Sequence, residues 1–195
     1  MVIKIDIEED TLRNDLDSFL KALNFSAQKH RHQKRKDSPG SPYIHHPIEV
    51  ANTLWTIGKV EDITTLIAAI LHDTLEDTDT TAEHIRTTFG DEVLELVLEL
   101  SDDNNLSKQE RKQNQIAHAP LLSPRAKQIK LADKICNVHD VAYLPPEGWS
   151  RHRRIEYLKW AQAVIDGLRG TNESLEKCFD ETLAAATDKL ARENQ

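Results

Sequence analysis

Apolar positions recur at helical spacing along almost the whole chain. In the stretch DTLRNDLDSFLKALNFSAQKHRHQKR, Leu12, Leu16, Phe19, Leu20 and Leu23 share one face of a helix. SPGSPY then breaks the chain. HPIEVANTLWTIG predicts a helix with Pro47 at its first position and Gly58 just past its end. Ile63, Leu66, Ile67, Ile70 and Leu71 follow the i, i+3, i+4, i+7, i+8 pattern. Ala68 and Ala69 leave few polar positions between them, so this helix is expected at the centre of the fold. Thr80 and Glu83 have the spacing of a capping box, and Gly90 stops the short helix they open. DEVLELVLEL carries Val93, Leu96, Val97 and Leu100 on one stripe. Ser107 and Glu110 form a second capping box before a polar helix that ends near Pro120. Ser123-Pro124 opens a long helix, and PPEGWS is a loop. Ser150 caps a further helix closed by Gly170, and Thr171 caps a last one reaching about Leu190. No alternating strand pattern, repeat or low-complexity linker is visible. The expectation is an all-α fold, one domain over residues 1–195 built from roughly eight helices.

Bulk composition narrows the class. With 195 residues, 38% hydrophobic and 30% charged, the chain reads as a water-soluble globular protein able to bury a core. No apolar run approaches the ~20 residues that a membrane span needs, so no membrane partner is expected. The start, MVIKIDIEED, has no apolar signal segment, and the two cysteines, Cys136 and Cys178, give no disulfide framework. A reducing cytoplasm is expected. A net charge of −8 argues against general nucleic-acid binding, though a local basic cluster can still hold an anionic substrate.

Against that helical background LHDTLEDTDTT stands out. It follows the apolar run ITTLIAAI, yet it brings His72, Asp73, Glu76 and Asp77 within six residues. On a helix Asp73 lies one turn from both Glu76 and Asp77, and carboxylates that close repel unless a cation or protons intervene. A solvated acidic turn is the competing reading. Asp133 weighs against it, because it lies on the apolar face of Ile129, Ala132 and Cys136. A lone carboxylate there needs a salt bridge or a metal. His46 precedes Pro47, so its backbone is expected to be extended, with its side chain pointing across the start of a helix. Two histidines and two aspartates form a nitrogen/oxygen donor set. It suits manganese, and also iron, zinc or cobalt, and leaves positions for water and substrate.

HDTLEDT, with upstream PYIHHP and downstream KLADK, resembles the HD hydrolase domain of the RelA/SpoT family. More narrowly, it resembles the small alarmone hydrolases, the free-standing group that includes the metazoan SpoT homologue. The likeness runs from about Leu20 to Phe179 and takes in RKD, GSPYIHHP, AAILHDTLEDTDTT, KLADKICNVHD and PPEGWSRHRRIEYLKWA, in that order. It implies an HD-domain fold, with His46, His72, Asp73 and Asp133 as ligands of a Mn²⁺ ion. It further implies that Glu76 and Asp77 are the catalytic pair that positions and activates the attacking water. The implied substrate is guanosine 5′-diphosphate 3′-diphosphate or the 5′-triphosphate form, which loses pyrophosphate from its 3′ oxygen. The residues do not divide the roles of base and acid between Glu76 and Asp77, neighbours that can titrate as a coupled pair.

A substrate with several phosphate charges needs cations, and the chain supplies them locally, in KHRHQKRK, at Lys108, Arg111 and Lys112, and in RHRR. Each alone is as well explained as a solvated helix face. The family likeness selects Arg35 and Lys36 beside the guanine, where a guanidinium can stack on the base. It selects Lys108, Asn137, Arg153 and Tyr157 near the ribose and 5′ phosphates. Spacing agrees with it, since Arg153 and Tyr157 are i, i+4 and Asn137 is i+4 from Asp133. Trp149, Trp160 and Cys136 are expected to be packing residues. The chain is expected to degrade the alarmone and not to make it, because residues beyond the hydrolase match are few. The alternatives are hydrolysis of another 3′-phosphorylated nucleotide, such as an adenosine alarmone, and a catalytically silent nucleotide sensor. Oligomeric state is not legible in the sequence.

Overall fold

The computed structural model describes residues 3–193, with side chains from Asp10 onward. The core is organised around α3 (Ile63–Leu71), in which every residue from Thr65 to Leu71 is buried. Such a helix has no solvent face, so helices must cover it on all sides. It packs against α1 (Ile3–Lys29), α2 (His45–Thr56), α6 (Asp91–Leu100) and α8 (Pro124–Tyr143). Helix α8 in turn packs against α9 (Arg151–Asp166) and α10 (Glu173–Arg192). The one-turn α4 (Thr74–Asp77), α5 (Ala82–Phe89) and α7 (Lys108–His118), with a 3-10 turn at Ala119–Leu121, complete the chain. Among the described residues there is no strand, only isolated bridges at Lys34–Pro42 and Asp37–Pro146. The all-helical expectation holds, and the single turn of α4 is the element that the periodicity did not separate.

Several helix ends fall where the sequence puts them. Ser107 and Glu110 close a complete capping box, and the Ser123 and Ser150 hydroxyls accept from the N–H groups of Ala126 and Arg153. Others move by one residue. Thr81, not Thr80, caps α5, and Asn172, not Thr171, caps α10. Thr80 is buried with its hydroxyl 2.7 Å from that of Thr78, and the Thr171 hydroxyl donates to the Leu168 carbonyl, so neither is free to cap. Gly58 follows the end of α2 as expected, but for reasons of space. A Cβ there would lie 2.8 Å from the Leu54 carbonyl and 3.1 Å from the Leu175 side chain on α10.

The apolar stripe of α1 divides. Phe19 and Leu23 pack on the core beside buried Ala22 and Ser26, whereas Leu12, Leu16 and Leu20 are exposed. Leu20 is turned off the packed face, about 100° round the helix from Phe19, and length accounts for Leu12 and Leu16. A helix of 27 residues extends about 40 Å, and its partner α3, of nine, only about 14 Å, so the first half of α1 outruns its cover.

Candidate metal centre and nucleotide cleft

The sequence places the first imidazole by an unexpected route. His46 lies inside the first turn of α2, with Pro47 one position further in, so its backbone is helical and not extended. The helix starts from a tight turn in which the His45 N–H donates to the Pro42 carbonyl and the His46 N–H to that of Tyr43. Pro47 is tolerated because a first-turn residue needs no N–H donor. The second imidazole sits at a break. Helix α3 ends at Leu71, His72 is its C-cap, and Asp73 is the N-cap of α4. The Thr74 hydroxyl donates to the Leu71 carbonyl at 2.7 Å, satisfying an acceptor that the break would strand.

Four groups meet in the space between α2, the α3–α4 break and α8. His46 Nε2 is 3.1 Å from Asp133 Oδ1 and 3.8 Å from Asp73 Oδ2. His72 Nε2 is 3.0 Å from Asp73 Oδ2 and 3.9 Å from Asp133 Oδ1. The His72 Nδ1–H donates to the Ala69 carbonyl at 2.7 Å, which fixes the tautomer and turns Nε2 inward. That Nε2 is buried, and its 3.0 Å contact with Asp73 Oδ2 is not aligned as a hydrogen bond. Burial alone would lower the His72 imidazole, but the Asp73 carboxylate outweighs it, with help from Asp133, and raises the group to about 9. Burial opposes ionisation of Asp133 and Asp73 too, yet Lys134 and the imidazoles hold Asp133 well below the usual carboxylate range, and His72 and His46 do so for Asp73. The centre therefore demands positive charge, which a proton on His72 supplies if nothing else does. The ligand atoms of His46, His72 and Asp133 lie within 4.8 Å of one another, and an orphaned imidazole nitrogen points among them, so this set can hold a divalent cation.

Surrounding groups hold the carboxylates. The Tyr43 hydroxyl donates to Asp73 Oδ2 at 2.6 Å, Lys134 Nζ to Asp133 Oδ2 at 2.8 Å, and Asn137 Nδ2 to Asp133 Oδ1 at 2.5 Å. The Asp133 salt bridge and the ligand set are thus not exclusive, because its two oxygens face different partners. Glu76 and Asp77 share a helical turn but diverge. Glu76 Oε1 accepts from the Asp102 N–H at 2.7 Å, whereas Asp77 Oδ2 accepts from Gln33 Nε2 at 2.8 Å. Burial, then the Asp73 charge, pushes the Glu76 carboxyl up to about 7, where it can exchange a proton near neutrality.

A cleft of about 510 Å³ opens beside the centre, lined by His46, Asp77, Arg35, Lys36, Asn137 and Tyr157 among others. Arg35 pairs with Asp140 and lies 5.7 Å from the Tyr43 ring. Lys108 and Arg153 meet at the Trp149 ring, 5.8 Å and 4.2 Å from its centre, and Trp149 lines the cleft. Burial, then repulsion from Arg153, Lys112, Lys36 and Arg111, lowers the Lys108 ammonium, the mark of a concentrated positive rim on an acidic protein. Trp160, by contrast, packs, with its indole N–H donating to the Lys112 carbonyl.

All twelve residues singled out in the sequence fall in this region. Tyr43, Lys134, Gln33 and Asp140 carry no role in the sequence reading, and Trp149, expected only to pack, lines the cleft beneath Arg153. Tyr43 lies three residues before His46 and Lys134 adjoins Asp133, which is a usable signal. Gln33 and Asp140 give none, since their partners are 44 and 105 residues away.

Residues 22–159 match the HD domain family. The chain is 52% identical over 160 residues to the guanosine-3′,5′-bis(diphosphate) 3′-pyrophosphohydrolase of Homo sapiens, covering 82% of this chain and 89% of that protein. It is 47% identical to the protein of the same name in Drosophila melanogaster, covering 84% and 91%. A solved structure described as a metazoan ortholog of SpoT that hydrolyses ppGpp superposes with a TM-score of 0.84 at 45% identity, over 86% of this chain and 94% of that one. A Listeria monocytogenes structure superposes with a TM-score of 0.63 at 30% identity, over 77% and 99%. On the extent and identity of these matches, this chain belongs to the HD domain family.

Proposed function

We propose that this protein removes pyrophosphate from the 3′ oxygen of guanosine 3′,5′-bis(diphosphate) or its 5′-triphosphate form, using Mn²⁺ held by His46, His72, Asp73 and Asp133. The observation that carries the reading is the convergence of two buried imidazoles and two carboxylates, of which His46 also lines a cleft shared with Arg35 and Lys36. Relatives about half identical to this chain are named for that reaction. The nitrogen/oxygen donor set is of the kind that manganese accepts. When bound, the ion supplies Lewis acidity, lowering the pKa of water and offsetting charge on phosphorus.

The chain's own groups do the rest. Glu76, held by the Asp102 N–H and poised near neutrality, takes or returns a proton. Asp77, on the opposite side of the same turn, orients the water. Water adds to the phosphorus, the bond to the 3′ oxygen breaks, and that oxygen leaves with a proton as a hydroxyl. Arg35 and Lys36 take the base end of the substrate. Lys108, Arg153 and Tyr157, grouped at Trp149, take the 5′ phosphates, and Asn137, bonded to Asp133, lines the cleft beside them. The test is pyrophosphate release from guanosine and adenosine 3′-diphosphates with Mn²⁺, by wild type and Asp73→Ala. Turnover of the guanosine substrates is expected from the wild type alone. Wild-type turnover by Asp73→Ala in chelator-stripped buffer would sink the metal assignment.

A further inference from the structure

The mechanism above leaves one buried imidazole unused. His30 is 2% exposed, stands 4.9 Å from the Tyr43 ring, and places Nδ1 2.6 Å from Gln33 Oε1. The polarity of this contact follows from its far end. The Asp77 carboxylate can only accept, so the Gln33 amide must turn its NH₂ to Asp77, at 2.8 Å. Its carbonyl then faces His30, whose Nδ1 must carry the proton. The far nitrogen of the ring, Nε2, is buried without a partner, so Gln33 is the hydrogen-bond partner that fixes the ring. Gln33 is pinned by its backbone as well, its N–H donating to the His30 carbonyl and its carbonyl accepting from the Tyr43 N–H.

We infer that Gln33, oriented by His30, is a positioning residue that aims the Asp77 carboxylate at the reacting centre. The inference rests on the reading of Asp77 as catalytic. Asp77 needs such a device because it is exposed, at the end of a one-turn helix, where a carboxylate turns freely. Glu76 is half-buried and already held by a backbone N–H. The amide bond to Oδ2 restricts the rotation of the Asp77 carboxylate, which lines the cleft beside His46. Misplacement of a catalytic group by an ångström can lower a rate by about 100-fold.

The test is a double-mutant cycle on the Mn²⁺-loaded full chain with guanosine 3′,5′-bis(diphosphate). Gln33→Ala is expected to lower kcat by roughly 10- to 100-fold with KM within about twofold, and His30→Phe to do the same more weakly. Gln33→Glu sets a second carboxylate against Asp77. It should lower kcat further, since the repelled Asp77 carboxylate turns away from the amide position. In the Asp77→Asn background Gln33→Ala should change kcat little, because its target is gone. Thermal midpoints report whether each variant folds, and Gln33→Asn serves as the milder variant should Gln33→Ala not. A Gln33→Ala loss that persists in full in the Asp77→Asn background, or falls on KM, overturns the inference and leaves the catalytic reading standing. Wild-type kcat in Asp77→Asn overturns the catalytic reading of Asp77 and the inference with it.

Discussion

Lys134 tests the electrostatics of the centre without replacing a proposed ligand, since it only pairs with one. It is 4% exposed, with Nζ 2.8 Å from Asp133 Oδ2. Burial disfavours its charge, yet Asp133 raises the ammonium above its ordinary value, so the pair is ionised. Lys134→Met keeps the length of the side chain and removes the charge. Breaking one side of a buried pair costs about 3–5 kcal/mol through the uncompensated charge left behind. Here the low end applies, about 3 kcal/mol, because a protonated His72 lies 3.9 Å from the other Asp133 oxygen. At about 2–4 °C per kcal/mol for a chain of this size, the metal-free protein should melt roughly 6–12 °C lower. With Mn²⁺ bound, the cation replaces the missing charge and most of that loss should vanish. By linkage, the variant must then bind Mn²⁺ more tightly than wild type. Denaturant unfolding in chelator and in saturating Mn²⁺, with metal titration by calorimetry, measures each term. An equal loss in both conditions, or a loss below about 1 kcal/mol without metal, would refute the reasoning.

Glu76 makes a second electrostatic case. Its folded pKa is raised to about 7, so its contribution to stability is present below its unfolded value and lost as pH rises through 7. Metal-free Glu76→Gln should therefore be more stable than wild type at pH 8, and the difference should shrink by pH 5 in chemical denaturation. In turnover, Glu76→Gln and Asp77→Asn should each bind metal and substrate while kcat falls by roughly 10²–10⁴-fold, and steady-state kinetics will show whether both matter. Arg153→Ala, which leaves the Trp149 face, should raise KM by about 10- to 100-fold for the 5′-diphosphate substrate and far less for one lacking it. Arg35→Lys keeps the charge but loses the planar pair with Asp140, so it should weaken binding by less than Arg35→Ala in the same assay.

Much of the scaffold is local and therefore readable. The caps at Ser107, Ser123 and Ser150 and the largely apolar α3 depend on side chains within one turn, and the 3.6-residue period reports them directly. Asp133 was visible as a carboxylate on an apolar face and the HD dipeptide as polar groups closing an apolar run, whereas His46 stood out only by its place before Pro47 and by the family likeness. Short-range geometry was less secure. The helical His46 turns on backbone bonds of the Pro42–His46 turn, and the one-residue shifts to Thr81 and Asn172 on which competing hydrogen bond a side chain makes.

The amino-acid order alone determined the helices, the residues that must be buried, and the polar groups that would be costly unless they found partners. Tertiary structure decided which partners they found. His46 meets Asp133 across 87 residues, and Gln33 meets Asp77 across 44. Packing also sends Glu76 and Asp77, neighbours in the chain, to different supports, and leaves Leu12, Leu16 and Leu20 of a regular stripe in water. The physical reason is range. Helical periodicity and capping act over one turn of backbone, whereas the meeting of charges depends on how helices of unequal length cross and how far each reaches.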